Sequence, residues 1–270
     1  VHPSIIVNGY SIALEESIKE AEKVSRESDE EQKSQVVRTS LQGKGDSSVC
    51  GLIASLAVEA ADGLVDLEGG DDLERMVVKR LQIREGNVMD SSLVNGLILL
   101  KSRVDATSPE NSDGGVVAII DGGLEHAKLE TDASIEVSSL GIMQEFHERS
   151  GENMQKQVMH LSSLGVDLLV VRDGIADEAI AQLTKAGIVA YRRFERSDMD
   201  LLSRITGARP ARSVSTLGDE DLGTYSKRGE ERISDVKHTL IEGDGGGMTL
   251  AVRGSSPAVR EEAIRIFDDA

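Results

Sequence analysis

The chain has 270 residues, a formal net charge of −18, 39% hydrophobic residues and only 2% aromatic ones. Such an acidic balance excludes the basic face that a nucleic-acid binder needs, and the scarcity of rings leaves little stacking surface for single strands. No apolar run reaches the ~20 residues of a membrane-spanning helix, and the single cysteine, Cys50, cannot close an internal disulfide, which suits a reducing cytoplasm.

Pro3 opens a first helix, whose Leu14, Ile18, Ala21 and Val24 share one face to about Ser25. Residues 26–33 read as a turn, with Asp29 placed to cap a second helix carrying Val36, Val37 and Leu41. The polar loop Gln42-Gly43-Lys44-Gly45-Asp46 leads to a third helix, where Val49, Leu52, Ile53, Leu56, Ala57 and Ala60 form a broad apolar stripe. Strands begin at 76–83. From about Leu93 to Glu231, strands at 97–100, 116–120, 135–137, 168–171 and 188–190 give way to helices at roughly 142–164, 176–185 and 198–205. This alternation predicts helices packed on a sheet. Ser197 reads as the N-cap of the helix at 198–205, with Asp198 in its first turn and Gly207 ending it. The polar loop 102–115, with Pro109, is expected to be exposed. Two further strands, 239–241 and 249–252, flank Gly243-Asp244-Gly245-Gly246-Gly247, and a last helix runs over 257–270.

The fold class is therefore mixed α+β, with the helical start and the strand–strand–helix end forming one lobe and an α/β domain inserted between them. A lobe attached through two strands suits a hinge. No Met precedes Val1, and the last helix lacks a terminal cap, so an excerpt of a longer polypeptide is expected.

Candidate chemistry is sparse. The 243–247 glycines lead into a strand with no Lys-Ser/Thr pair, so a flexible turn is favoured over a phosphate loop. Five scattered histidines and one cysteine show no metal-ligand spacing, so no metal site is expected. Lys44, between two glycines, is either an ordinary loop lysine or a compact charge suited to sensing phosphate. Asp268 and Asp269 lie late on a helix, where the macrodipole disfavours carboxylates. They form either a solvated acidic end or a functional pair. Ile142, Met143 and Phe146 form either a core stripe or an exposed patch for partners. The crevice at the strand ends leaves an unrelated α/β enzyme as a third possibility.

Short segments in order along the chain add a resemblance. They are Val1-His2-Pro3 with Gly9-Tyr10, Thr39-Ser40-Leu41-Gln42-Gly43-Lys44, Asp90-Ser91-Ser92-Leu93-Val94-Asn95-Gly96, Glu130-Thr131-Asp132-Ala133, Val171-Arg172-Asp173-Gly174-Ile175, Arg192-Arg193 with Ser197-Asp198-Met199 and Thr206-Gly207-Ala208, Arg253-Gly254-Ser255, and Asp268-Asp269-Ala270. Together they resemble the group II chaperonins, the archaeal thermosome and eukaryotic cytosolic chaperonin family.

The resemblance implies a helical intermediate lobe carrying an inserted α/β apical domain with a helical protrusion. It places the equatorial edge at 1–26, intermediate-domain parts at 27–92 and 236–270, and the apical domain at 93–235 with the protrusion about 138–155. It implies an ATP-dependent subunit that binds unfolded proteins and folds them in a lidded double ring of sister subunits in the cytoplasm, with no nucleic-acid or membrane partner. ATP with Mg2+ would be held mostly by an equatorial domain outside this sequence, so hydrolysis is expected only in the full ring. Asp269 would orient the attacking water, Lys44 with Gly43 would face the nucleotide, and Ile142, Met143 and Phe146 would lie at the lid tip. Val104-Asp105-Ala106-Thr107-Ser108-Pro109 and Leu140 depart from the family pattern, where a His-Pro-x-Met-Pro loop and a Pro are usual. An ATPase-inactive client-binding paralogue is the alternative.

Acidic residues scattered along the whole chain also suit a salt-loaded, halophilic setting, because at about 1 M salt the Debye length falls to ~3 Å and self-repulsion is screened. Raising KCl from about 0.1 M to 1 M, across this screening range, is expected to increase the thermal unfolding midpoint. Equal midpoints in the two buffers would remove the halophilic reading.

Overall fold

The computed structural model describes residues 2–26, 28–65, 78–125, 140–233 and 236–270. Three helices open the chain: α1 (Pro3–Val24), α2 (Glu30–Ser40) and α3 (Ser47–Val65). The Asp29 carboxylate accepts the Gln32 N–H at 2.8 Å and starts α2, as the sequence predicts. Of the three, α3 is the core helix, burying Ile53, Ala54, Leu56 and Ala60. In contrast, α1 buries no residue.

β1 (Val78–Ile83) and β2 (Ser92–Asn95) lie on either side of β10 (Met248–Arg253), with β1 parallel and β2 antiparallel to it. Against this sheet α3 meets the closing helix α7 (Pro257–Asp269). Ile53, Leu250, Val252, Ile266 and Phe267 belong to one buried cluster, so the first lobe is built from both ends of the chain.

The inserted lobe is a four-stranded sheet, β6-β5-β4-β7. In it β4 (Gly115–Ile120), β5 (Leu168–Val171) and β6 (Val189–Tyr191) run parallel, and β7 (Gly223–Tyr225) is an antiparallel edge. The uninterrupted apolar runs of β4 and β5 reflect burial on both faces. Ala118, Ile120, Leu169 and Val171 meet α4 (Leu140–Ser163) and α5 (Asp177–Lys185), while Val117, Ile119, Leu168 and Val170 meet α6 (Arg196–Thr206). A third sheet, of β3 (Leu97–Leu99), β9 (Val236–Glu242) and β8 (Lys227–Ile233), stands beside the connection between the lobes.

That connection is tightly stitched. Where β2 passes into β3, Gly96 adopts φ +136°, and a Cβ there would meet the Ile241 carbonyl oxygen at 2.6 Å. Its N–H donates to the Gly247 carbonyl at 3.0 Å. The fully buried Thr249 hydroxyl donates to the Gly96 carbonyl at 2.7 Å and accepts the Ile98 N–H at 3.1 Å. A further tie joins Lys79 on β1 to Asp198 in the first turn of α6, with Nζ–Oδ1 at 2.5 Å and little exposure on either side.

The structure corrects three expectations. Ser197 is not the N-cap of α6: the helix begins at Arg196 behind Glu195, which makes no side-chain cap bond. Arg193 turns the chain at φ +60° and Phe194 is pulled into the core, so the helix starts directly after them. The 243–247 turn is docked rather than flexible. A Cβ on Gly245 would sit 1.9 Å from the Arg204 carbonyl oxygen, and the Gly245 N–H donates to the Ile205 carbonyl at 2.9 Å. These glycines let backbone close over the C-terminal end of α6. The loop 102–115 is only partly exposed. Buried Arg228 donates to the Pro109 and Glu110 carbonyls at 3.0 and 3.1 Å, and buried Arg103 pairs with Glu230. The expected strand at 135–137 lies outside the described residues.

Gly245→Ala should lower stability by about 1–3 kcal/mol, because the added methyl overlaps a backbone oxygen that cannot swing away. Gly51→Ala, with nothing within 4 Å in mid-α3, should instead add about 0.5–1 kcal/mol. Urea unfolding of the two variants checks both signs, and a neutral Gly245→Ala would contradict the docked turn.

Candidate functional site

The loop joining α2 to α3 is shaped by its own residues. Leu41, 2% exposed, anchors it in the core. The Lys44 N–H donates to the Leu41 carbonyl at 3.1 Å, and Gly43 supplies the left-handed step at φ +81°. Asp46 closes the loop by capping α3. Its carboxylate accepts the N–H groups of Ser48 and Val49 and the Ser48 hydroxyl, which together hold it below the usual carboxylate range. Gly45 lets the loop lie against α7, since a Cβ there would already touch Ile266 Cδ1 at 3.0 Å.

The loop thereby meets the last turn of α7. Lys44 Nζ lies 3.1 Å from Asp269 Oδ2, joining residues 225 positions apart. Both side chains are about one-third exposed, 37% and 32%, so the pair is open to exchange with water or a ligand. Arg265 Nη1 donates to the same Asp269 oxygen at 2.9 Å, and Arg265 Nη2 donates to the Lys44 carbonyl at 3.2 Å. Asp268 turns the other way, taking Arg80 Nε and Nη2 of β1 at 3.0 and 2.6 Å, while Arg80 lies 5.8 Å over the Phe267 ring. Each carboxylate at this helix end is thus matched by cations, which offsets the unfavourable macrodipole.

Lys44 and Asp269 are therefore brought together, while Gly43, next to Lys44 in the loop, lines a cleft of about 400 Å³ with Arg38, Gln42, Ser47 and Cys50. The chemistry of the pair, an exchangeable ammonium beside an exchangeable carboxylate, fits the edge of a phosphate and water site. Among the described residues, no group of three or more His, Cys, Asp or Glu side chains could hold a metal ion, and no helix is long and apolar enough to cross a membrane. Ile142, Met143 and Phe146 fall on the first turns of α4, but their side chains lie outside the described residues. Farther along α4, Val158 and Met159 line an open groove of about 420 Å³ against Gln182 and Lys185 of α5, with Met159 63% exposed.

Arg265 and Arg80 escape the sequence reading. The Arg265–Asp269 spacing of i,i+4 on a helix was a legible signal. Arg80, on a distant strand, had none.

The family model described as TCP-1/cpn60 chaperonin family matches residues 1–270. The chain is 30% identical over 276 residues to a thermosome subunit of Methanopyrus kandleri, covering all of this chain and 51% of that protein. It is 32% identical over 273 residues to thermosome subunit alpha of Methanothermobacter thermautotrophicus, covering all of this chain and 50% of that one. Among solved structures, the open-state monomer of a group II chaperonin from Methanococcoides burtonii superposes with a TM-score of 0.73 at 24% identity, covering all of this chain and 62% of that chain. The chain thus spans about half the length of the curated relatives it matches.

Proposed function

The chain belongs to the TCP-1/cpn60 chaperonin family, and on that premise we propose that it forms the hinge and client-facing portion of a group II chaperonin subunit. In this reading residues 27–92 and 236–270 are the intermediate domain, 93–235 the apical domain with its protrusion about 138–155, and 1–26 the edge of an equatorial domain. The exposed helix α1 supports the last assignment. Val7, Tyr10, Leu14 and Ile18, which follow at helical spacing on one face, are 50–73% exposed, an apolar stripe that a further lobe would cover.

The observation that carries the functional reading is the 3.1 Å contact between Lys44 and Asp269. Asp269 would accept a hydrogen bond from the water attacking the terminal phosphorus of ATP, orienting it in line. Lys44 would leave Asp269 for the phosphate. A unit charge pair at 4 Å and an effective dielectric of 20 is worth about 4 kcal/mol gross, against the roughly 5.5 kcal/mol that moves a two-state equilibrium from 1:99 to 99:1. Several subunits acting together would therefore bias closure of a ring of sister subunits, provided Lys44 meets phosphate only in the closed state. ATP supplies the phosphoryl-transfer chemistry, and Mg2+ and the phosphate cradle would be supplied mostly by the equatorial domain.

Unfolded clients would meet the inserted lobe. In this reading a lid tip at Ile142, Met143 and Phe146 would meet them, and the α4–α5 groove with exposed Met159 offers a further surface. A cytoplasmic setting accords with this role.

The 270-residue chain alone is expected neither to hydrolyse ATP nor to form rings, as light scattering and a phosphate-release assay would check. In a polypeptide spanning the full length of the relatives and carrying these residues, Asp269→Ala should abolish hydrolysis while nucleotide binding persists. Turnover by the isolated chain would overturn the domain assignment. Absence of turnover in the unsubstituted full-length protein would favour the ATPase-inactive client-binding alternative.

A further inference from the structure

Arg265 stands one helical turn before Asp269, and its guanidinium reaches three groups. It donates to the Asp269 carboxylate at 2.9 Å, to the backbone carbonyl of Lys44 at 3.2 Å, and to the Glu262 carboxylate from Nε at 2.9 Å and Nη2 at 2.5 Å. One side chain thus grips the carboxylate of one proposed nucleotide-facing residue and the main chain of the other. At its ends the loop is anchored by Leu41 in the core and by Asp46 capping α3, and Gly45 lies against Ile266; around Lys44 the ties are fewer. Gly43 has nothing within 4 Å of where a Cβ would stand, and Lys44 is tied back by one backbone hydrogen bond to Leu41.

We propose that Arg265 is a positioning residue, which keeps Asp269 aimed and the 42–46 loop in place when Lys44 moves from the carboxylate to the phosphate. The inference rests on the reading of Asp269 and Lys44 as the groups that face ATP. Asp269 Oδ2 carries two cations in this structure. When Lys44 departs, Arg265 remains, so the carboxylate is freed to accept a water hydrogen without losing its orientation at the helix end.

The guanidinium is suited to this because its planar fork serves several acceptors in fixed directions, whereas an ammonium serves them as a point charge. Glu262, one turn earlier, holds the fork from behind. The hydrogen bond from Arg265 keeps its carboxyl below the usual carboxylate range. Arg265 is half-exposed, so its replacement is expected to leave the core intact.

The test compares Arg265→Lys, Arg265→Ala, Asp269→Ala and the double variant Arg265→Ala/Asp269→Ala in the full-length protein. Both Arg265 variants should lose roughly 10- to 100-fold in kcat for ATP with KM within about twofold, as expected of a group that orients rather than binds. The double variant should be no slower than Asp269→Ala. A readout independent of turnover is amide hydrogen exchange at Lys44 in the 270-residue chain, which should quicken by about tenfold in both Arg265 variants as the loop is released. Arg265→Lys with wild-type kcat, a rise in KM with kcat unchanged, or unaltered exchange at Lys44 would each overturn the proposal. If Asp269→Ala itself retains turnover, the underlying reading fails together with the proposal. If Asp269→Ala is inactive and Arg265→Lys is as fast as wild type, only the proposal fails.

Discussion

The architecture depends on one buried hydroxyl. Thr249 Oγ1 donates to the Gly96 carbonyl and accepts the Ile98 N–H, and so joins β10 to the point where β2 becomes β3. Without it, two backbone groups at the crossing would be buried unpaired, at about 1–3 kcal/mol each. Gly96 completes the arrangement, since only a residue without Cβ fits beside the Ile241 carbonyl. The chain enters and leaves the inserted lobe side by side, and the two ends of the first lobe are held within reach of each other.

The Lys44–Asp269 contact follows from that closure. β10 places α7 against α3, and a cluster of Ile53, Leu250, Ile266 and Phe267 fixes the two helices in register. At roughly 1.5–3 kcal/mol per fully buried large apolar side chain, this packing outweighs anything the exposed ion pair contributes, since exposed pairs are worth about 0–1 kcal/mol. The hydrophobic core brings the charges together, and the charges remain exchangeable because stability does not rest on them. Such a division lets both groups change partners at little cost to the fold.

Much of this was legible in the residues. The apolar runs of β4 and β5 and the 3.6-residue spacing of α3 and α6 define their elements without help from tertiary context. Lys44 between glycines and Asp269 at a helix end stand out because each breaks a local preference. β8 was missed because Lys227–Ile233 is mostly charged; its strand status comes from pairing with β9, from the Pro109 and Glu110 carbonyls that accept from buried Arg228, and from Arg103, which pairs with Glu230, all more than a hundred residues away. The short strands β2 and β7 carry too few residues for a period to register. The docked state of 243–247 was hidden for a different reason: glycine composition reports freedom, while the neighbour that removes it, the end of α6, is set by the fold.

The two ends of α6 belong mechanically to the rest of the molecule. At its first turn Asp198 is gripped by Lys79 of β1, and at its last turn the carbonyls of Arg204 and Ile205 are covered by the turn that leads into β10. The helix is therefore tied at both ends to the first lobe, while Leu202 and Ile205 on its side pack against the four-stranded sheet. A displacement of β1 or of the turn before β10 would therefore reach that sheet through both ends of α6 as well as through the thin backbone crossing at Gly96.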